Sequence, residues 1–365
     1  MLSIPIVPRN SPANTRKANS RRRCNTPAGT AGNTALAFGV IPRGIATAPA
    51  ASQAWRDQGA AQWEHQSSAH PPALICGFLV LDKPAGLSSH GCVSRVRRAY
   101  GLKRVGHGGT LDPAVTGVLP IALGPATRLL PYLSGDKTYR GVVQLGLRTD
   151  SDDLEGQVLE QQAIPPLSTA ELEAALAPFR GAIEQRPPAV SAVHVNGERA
   201  YKLARAGQAV ELQPRPVSIH RLELLSWNQE LGQVELEVSC SAGTYIRSLA
   251  RDLGETLGCG GSLARLRRTE ALGFQLEQSV ALDQLDSDPP PALVDPLLAL
   301  SHLLQHRLEA DQLPGWRCGR LQSCDPAWPI DAPVVVVGPD GNLAGMARVQ
   351  AGGQLQPRLV LDAAG

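Results

Sequence analysis

Residues 104–124 read RVGHGGTLDPAVTGVLPIALG, and they hold a single carboxylate, Asp112. It stands between a glycine-rich start and a long apolar run. A carboxylate beside an apolar wall is costly unless a counter-charge or hydrogen bonds meet it. Taken alone, Asp-Pro favours turn initiation, and that is the plain reading of Asp112. The run VLPIALG at 118–124 fits a short buried strand or a turn of helix.

Outward on the N-terminal side, LICGFLVLDKPAGLSSH at 74–90 reads as a strand and then a turn at Lys83-Pro84-Ala85-Gly86. Ser88 or Ser89 can cap a following helix whose Val93, Val96 and Tyr100 fall at helical spacing, with Gly101 as its stop. Outward on the C-terminal side, KTYRGVVQLGLRTD at 137–150 reads as a longer strand. STAELEAALAPFRG at 168–181 is a helix with a Ser168–Glu171 capping box, stopped at Gly181. VELEVSCSAGTYIRSLARDLGETLG at 234–258 gives an alternating strand, a turn at Gly243 and a helix. Strands and helices alternate irregularly and most strands are amphipathic. That pattern predicts an α+β domain with a mixed or antiparallel sheet. After PALVDPLLALSHLLQ at 291–305 the runs shorten, and VVVVGPDGNLAGMARV at 334–349 predicts a small β-rich module with a Pro-Asp-Gly turn.

The net charge of +2 is unevenly spread. Residues 1–72 carry eight Lys or Arg and two Asp or Glu, which leaves the remainder slightly acidic. That first segment lacks hydrophobic periodicity and reads as a disordered basic extension, a transit-like peptide or an over-long gene model. No apolar run approaches the roughly 20 residues that a membrane-spanning helix needs. An anionic partner must therefore meet a local patch. Arg95, Arg97, Arg98, Lys103 and Arg104 form one, just before the opening stretch. The seven cysteines form no C-x-x-C pair and resemble neither a zinc site nor a disulfide framework.

GHGGT lacks the lysine of a phosphate loop, and no G-x-G-x-x-G follows a strand. TDSDDLEG at 149–156 fails as a calcium loop for want of a ligand at Leu154 and a glycine at Glu155, so it reads as a solvated acidic turn. A lone acid does not suit glycoside hydrolysis. Beside a basic segment, Asp112 suits a nucleophile or general base acting on a nucleic acid. Tyr139 and Tyr245, each close to an arginine, read either as core residues or as faces on which an unstacked base would rest.

Six segments then match in order: GFLVLDKPAGLSSH, VGHGGTLDPAVTGVLPIALGPATRLLPYL, DKTYRGVVQLGLRTDSDD, FRGAIEQRPPAVSAVHVNGERAYKLARAG, SAGTYIRSLARDLGETLGCGGSLARLRRTE and LVDPLLAL. Over roughly residues 75–304 the chain resembles the bacterial TruB-type tRNA pseudouridine-55 synthases. The end of the chain resembles, more weakly, their PUA-like domain. The resemblance implies a pseudouridine synthase fold over 73–304 and a PUA-like module over 305–365. It implies a cofactor-free, metal-free isomerase that flips the T-loop uridine, breaks its N1–C1′ bond, rotates the uracil and rejoins it through C5.

By the same resemblance Asp112 is the nucleophile, attacking either C6 or C1′, and Arg247 is its charge partner. Tyr139 stacks on the base and takes the C5 proton. His107 occupies the place of the flipped base in the T-loop, while Tyr245 and Leu266 line the uracil pocket. Lys83 and Pro84 support the catalytic loop. The family often shows an acid where this chain has Gly91, which weakens the start of the basic helix. The implied partner is the tRNA T-arm, met without a membrane or an obligate protein partner by a monomer in the cytoplasm, or in an organelle if residues 1–72 are a transit peptide. Two other readings are a non-catalytic tRNA-binding or tRNA-folding module and a guide-RNA-dependent relative acting on ribosomal RNA. The first does not need the Asp112–Arg247 pair, and the second would carry basic tails and a larger PUA domain that this chain lacks.

Overall fold

The computed structural model describes residues 75–361 except 192, 196, 201–202, 204–205 and 207–211, so the basic extension expected at 1–72 lies outside the described residues. Its architecture grows from two apolar runs. The strand Gly77–Lys83 pairs antiparallel with Thr116–Leu123 along its whole length, from Gly77 opposite Leu123 to Lys83 opposite Gly117. Side chains alternate across a strand. Leu79, Leu81, Leu119, Ile121 and Leu123 enter one core. Phe78, Val80, Val118 and Ala122 enter another on the opposite face. Burial on both faces is why these segments read as nearly continuous apolar runs.

The ambiguous VLPIALG is therefore strand. Pro120 obscured it, since proline seldom sits inside a central strand. Its place is explained by its neighbour. The short strand Val105–His107 pairs with residues 121–123 and ends there, and the Pro120 carbonyl accepts from the amide of Gly108 at 2.8 Å.

The main sheet has ten strands, with the order Val280–Ala281, Gly77–Lys83, Thr116–Leu123, Gly261–Ala271, Lys137–Leu145, Gln233–Cys240, Arg215–Asn228 and Gly181–Gln185 along its main path. It is mixed: Val280–Ala281 with Gly77–Lys83, and Thr116–Leu123 with Gly261–Ala271, run parallel, and the other pairs antiparallel. Among the described residues, three helices of eight or more residues accompany it: α1 (Ser89–Ala99), α2 (Thr169–Leu176) and α3 (Ile246–Thr256). The α+β expectation holds. The capping box of Ser168 and Glu171 opens α2, but the helix stops short of Gly181 at Leu176. Pro178 lies in a 3₁₀ turn, where its missing N–H is tolerated. In α3, Leu249, Ala250 and Leu253 fill the first core. No helix among the described residues is long and apolar enough to cross a membrane.

A second sheet holds five strands in the order Leu304–Arg307, Pro333–Val337, Leu343–Gln350, Gln354–Val360, Gln322–Ser323. The Pro339-Asp340-Gly341 turn closes with the amide of Gly338 on the carbonyl of Asn342 at 2.8 Å. One face of this sheet, with Val335, Val337, Met346 and Leu359, packs into the same core as Phe78 and Val80. Its other face surrounds Trp316, Val334, Val336 and Leu355.

Candidate active site

The loop between Val105–His107 and Thr116–Leu123 is tied down almost residue by residue. Lys83, 0% exposed at the end of its strand, donates from Nζ to the carbonyls of Pro84 (2.8 Å), Pro113 (3.0 Å) and Val115 (2.7 Å). Burial lowers its pKa from the ordinary lysine value, opposed in part by Asp112 nearby. Ser89, in the first turn of α1, accepts from the amide of Leu111 at 2.8 Å and donates to that residue's carbonyl at 3.1 Å. The amide of Val115 meets the carbonyl of Asp112 at 3.1 Å, closing the turn that Asp-Pro predicts. Gly117, at φ +104°, carries the strand so close to its neighbour that a Cβ there would lie 2.1 Å from the carbonyl oxygen of Arg268. Asp112 is thus fixed by its backbone, with its side chain 45% exposed.

Sequence separates Asp112 from Arg247 by more than a hundred residues, and the fold closes the gap. Nη2 of Arg247 lies 3.0 Å from Oδ2 of Asp112. The Arg247 side chain is 8% exposed, and its guanidinium also donates to the carbonyls of Ser151 (2.9 Å) and Val190 (3.0 Å). Its Nε lies 3.7 Å from Oδ2 of Asp153.

That last contact corrects the reading of TDSDDLEG. The acidic turn is only half solvated: Asp150 and Glu155 are exposed, but the Asp152 and Asp153 side chains are 14% and 20% exposed. One turn beyond Arg247 on α3, Arg251 holds Asp152 at 2.9 Å and Asp252 at 2.8 Å. Burial pushes the Asp152 carboxyl upward, and Arg251 and Arg247 oppose it. Arginines four apart on one helix match acids one apart in the turn.

Tyr139 lies in Lys137–Leu145 directly opposite Arg268. Its ring is 7% exposed. Burial raises its pKa, and the charge of the facing Arg268 acts the other way. His107 ends its strand with Nδ1 buried and without a protein partner. Burial first, then the positive charges of Arg268 and His90, hold its pKa low. Tyr245 precedes α3, its backbone held at both ends by the Gln185 amide (2.8 and 3.1 Å). Its half-buried ring packs on Val193, Ala200 and Leu212. Leu266 is half-buried opposite Gly141.

The basic segment divides. Arg98, Lys103 and Arg104 are exposed. Arg95 lies 3.8 Å from Asp286, an exposed and weak pair. Arg97 instead turns inward, with Nη2 on the carbonyl of Val105 at 3.1 Å. α1 is capped by Ser88, whose hydroxyl accepts from the amide of Gly91 at 3.0 Å, and no acid stands in its first turn. Among the described residues, no three of His, Cys, Asp and Glu gather as they would around a metal ion.

Two family profiles match this chain: the TruB family pseudouridylate synthase N-terminal domain over residues 97–246, and the tRNA pseudouridylate synthase B C-terminal domain over 247–289. The chain belongs to the TruB family of pseudouridylate synthases. It is 66% identical over 289 residues to a tRNA pseudouridine synthase B of Parasynechococcus marenigrum (strain WH8102), covering 79% of this chain and 98% of that one. A tRNA pseudouridine synthase B of Synechococcus sp. (strain WH7803) is 58% identical over 296 residues, with the same coverage of each. The fold recurs in an H/ACA ribonucleoprotein bound to a substrate RNA containing 2′-deoxyuridine, with a TM-score of 0.59 and 23% identity over 78% of this chain and 84% of that one. It recurs also in the archaeal box H/ACA Nop10–Cbf5 complex, at 0.58 and 24% over 78% and 85%.

Proposed function

We propose that this chain isomerises the T-loop uridine of tRNA to pseudouridine with Asp112 as the nucleophile, assisted by Arg247 and Tyr139. The observation that carries the proposal is the half-exposed Asp112 carboxylate held 3.0 Å from a buried arginine, on a loop pinned by Lys83 and Ser89. Base flipping brings the uridine to this carboxylate. Asp112 attacks C6 or C1′, and Asp153 keeps Arg247 aimed at it. Tyr139 provides the stacking face and removes the C5 proton. His107, whose orphaned Nδ1 calls for a partner, fills the space that the flipped base vacates. Tyr245 and Leu266 complete the uracil pocket.

The exposed Arg98, Lys103 and Arg104, with Arg95, contact tRNA phosphates, while Arg97 shapes the helix end. Residues 305–365 form the PUA-like module. The protein acts alone in the cytoplasm without a cofactor. A non-catalytic tRNA-folding module would use the same basic surface. It would have no use for a carboxylate fixed against Arg247.

Tritium release from tRNA labelled at uridine C5 tests the proposal, because that hydrogen must leave when C5 bonds to C1′. Release in step with pseudouridine formation is expected. Its absence with every T-loop substrate would leave only the binding role. Rapid quenching distinguishes the two attacks, a base adduct marking C6 and a glycal marking C1′.

A further inference from the structure

Arg268 is among the most deeply buried side chains of the molecule, at 0% exposure. Its Nε donates to the carbonyl of Val118 at 2.7 Å and its Nη2 to that of Gly109 at 3.3 Å. Tyr139 faces it directly across the neighbouring strand, and each side chain's charge acts on the other. No carboxylate among the described residues forms an ion pair with it. A buried charge without a counter-charge costs several kcal/mol, and desolvation accordingly lowers the pKa of Arg268, with Tyr139 opposing. Two carbonyls can be tied by a neutral glutamine at far lower cost. The positive charge calls for another explanation, and Tyr139 supplies it.

A guanidinium has donors only. Toward Tyr139 it can therefore only donate, so the phenol oxygen is the acceptor side of the pair and the phenol hydrogen belongs on the side away from Arg268. The sheet register enforces this geometry, since the two residues face each other across neighbouring strands. We propose that Arg268 is a positioning residue that holds the Tyr139 oxygen in place and stabilises its phenolate as it takes the C5 proton.

The step rests on the assignment of Tyr139 to proton removal made above. The phenol releases its proton to water. After the C5–C1′ bond has formed and the bond from Asp112 to C6 or C1′ has broken, leaving Asp112 a carboxylate, the phenolate oxygen takes the proton from C5. The C5–H electron pair becomes the C5=C6 double bond, the C6=N1 pair returns to N1, and N1 takes a proton from water. Tyr139 ends protonated, and Arg268 stays a cation throughout. A fixed charge of this kind is arranged before the reaction and needs no reorganisation during it.

The test is a double-mutant cycle in the full-length chain, read by single-turnover tritium release from C5-labelled tRNA. Arg268→Gln keeps amide donors for the carbonyls and removes the charge, while Arg268→Lys keeps the charge. Arg268→Gln should slow release on the order of 10²-fold, as loss of a general-base contribution does. Arg268→Lys should recover most of that loss. In a Tyr139→Phe background the Arg268→Gln change should cost no more than about threefold, because residues acting as a unit are non-additive. Multiplying losses, or equal costs for Gln and Lys, would overturn the proposal and leave Arg268 as a tie between strands. Wild-type kinetics in Tyr139→Phe alone would remove Tyr139 from proton transfer and the proposal with it, an outcome distinct from additivity. If Arg268→Gln fails to fold, the cycle is run with Arg268→Lys, whose smaller defect must likewise vanish in the Tyr139→Phe background.

Discussion

Arg247 and Arg268 are both almost wholly buried, and they are held in opposite ways. Arg247 has Asp112 at 3.0 Å and Asp153 at 3.7 Å. Arg268 has two carbonyls and faces a phenol across the sheet. A guanidinium between two acids has its charge answered, so its effect is mainly one of direction. A guanidinium among neutral oxygens keeps its charge available to whatever develops negative character beside it. On the roles proposed above, one buried cation aims a carboxylate and the other awaits an anion.

The hardest blow to this contrast is Asp112→Asn. It keeps the turn and most of the size but removes the proposed nucleophile, so pseudouridine formation should be undetectable while tRNA binding survives. Substantial turnover would return Asp112 to a turn former. Arg247→Met comes next. It leaves Asp153 and the half-exposed Asp112 without their partner, and breaking a buried pair costs about 3–5 kcal/mol, discounted here by the exposure of Asp112. A clear drop in melting temperature with about a hundredfold loss of turnover is expected. Asp153→Asn should lower turnover about tenfold, roughly 1.4 kcal/mol of barrier, with Arg247 still on Asp112. An unchanged rate would show that Asp153 does not help aim Arg247.

A gentler probe reads the unanswered charge directly. His107 is held neutral by burial first and by Arg268 and His90 second. In Arg268→Gln its NMR titration midpoint should rise toward the ordinary histidine value. The sign carries into stability. A histidine with a depressed folded pKa binds fewer protons folded than unfolded, so stability falls as pH drops through its window. That acid-side loss should be shallower in the variant. An unmoved midpoint would mean that the charge of Arg268 does not reach the pocket. The smallest effect lies at the surface. Neutralising Arg98 and Lys103 should lower the log–log salt slope of tRNA binding by about one to two units. Arg97→Gln should leave the slope alone, because its guanidinium serves Val105.

The strands, helices and caps were largely legible because they depend on local pattern. Ser88 and the Ser168–Glu171 box sit where capping chemistry requires them. Burial of charge was not legible. TDSDDLEG reads as a solvated turn and nothing in the polar string LARLRRTE marks Arg268 as interior, yet Asp152, Asp153 and Arg268 lie inside. What hides them is partners distant in sequence: Arg251 for Asp152, Arg247 for Asp153 and Tyr139 for Arg268. Asp112 could be singled out as an isolated acid, whereas its pairing with Arg247 rested on the family resemblance. A regular signal did exist for the acidic turn, in Arg247 and Arg251 four apart beside adjacent aspartates.

The shared core of Phe78, Val80, Val335, Val337, Met346 and Leu359 bears on cooperativity. Chain segments that own separate cores can melt one at a time. Here each sheet completes the interior of the other, and each such side chain contributes about 1.5–3 kcal/mol when fully buried. The two sheets should therefore unfold in a single calorimetric transition. A chain ending near residue 303 would bare Phe78 and Val80 behind the strand whose last residue, Lys83, clasps the Asp112 loop. The terminal sheet thus props the Asp112 loop from the far side of the strand.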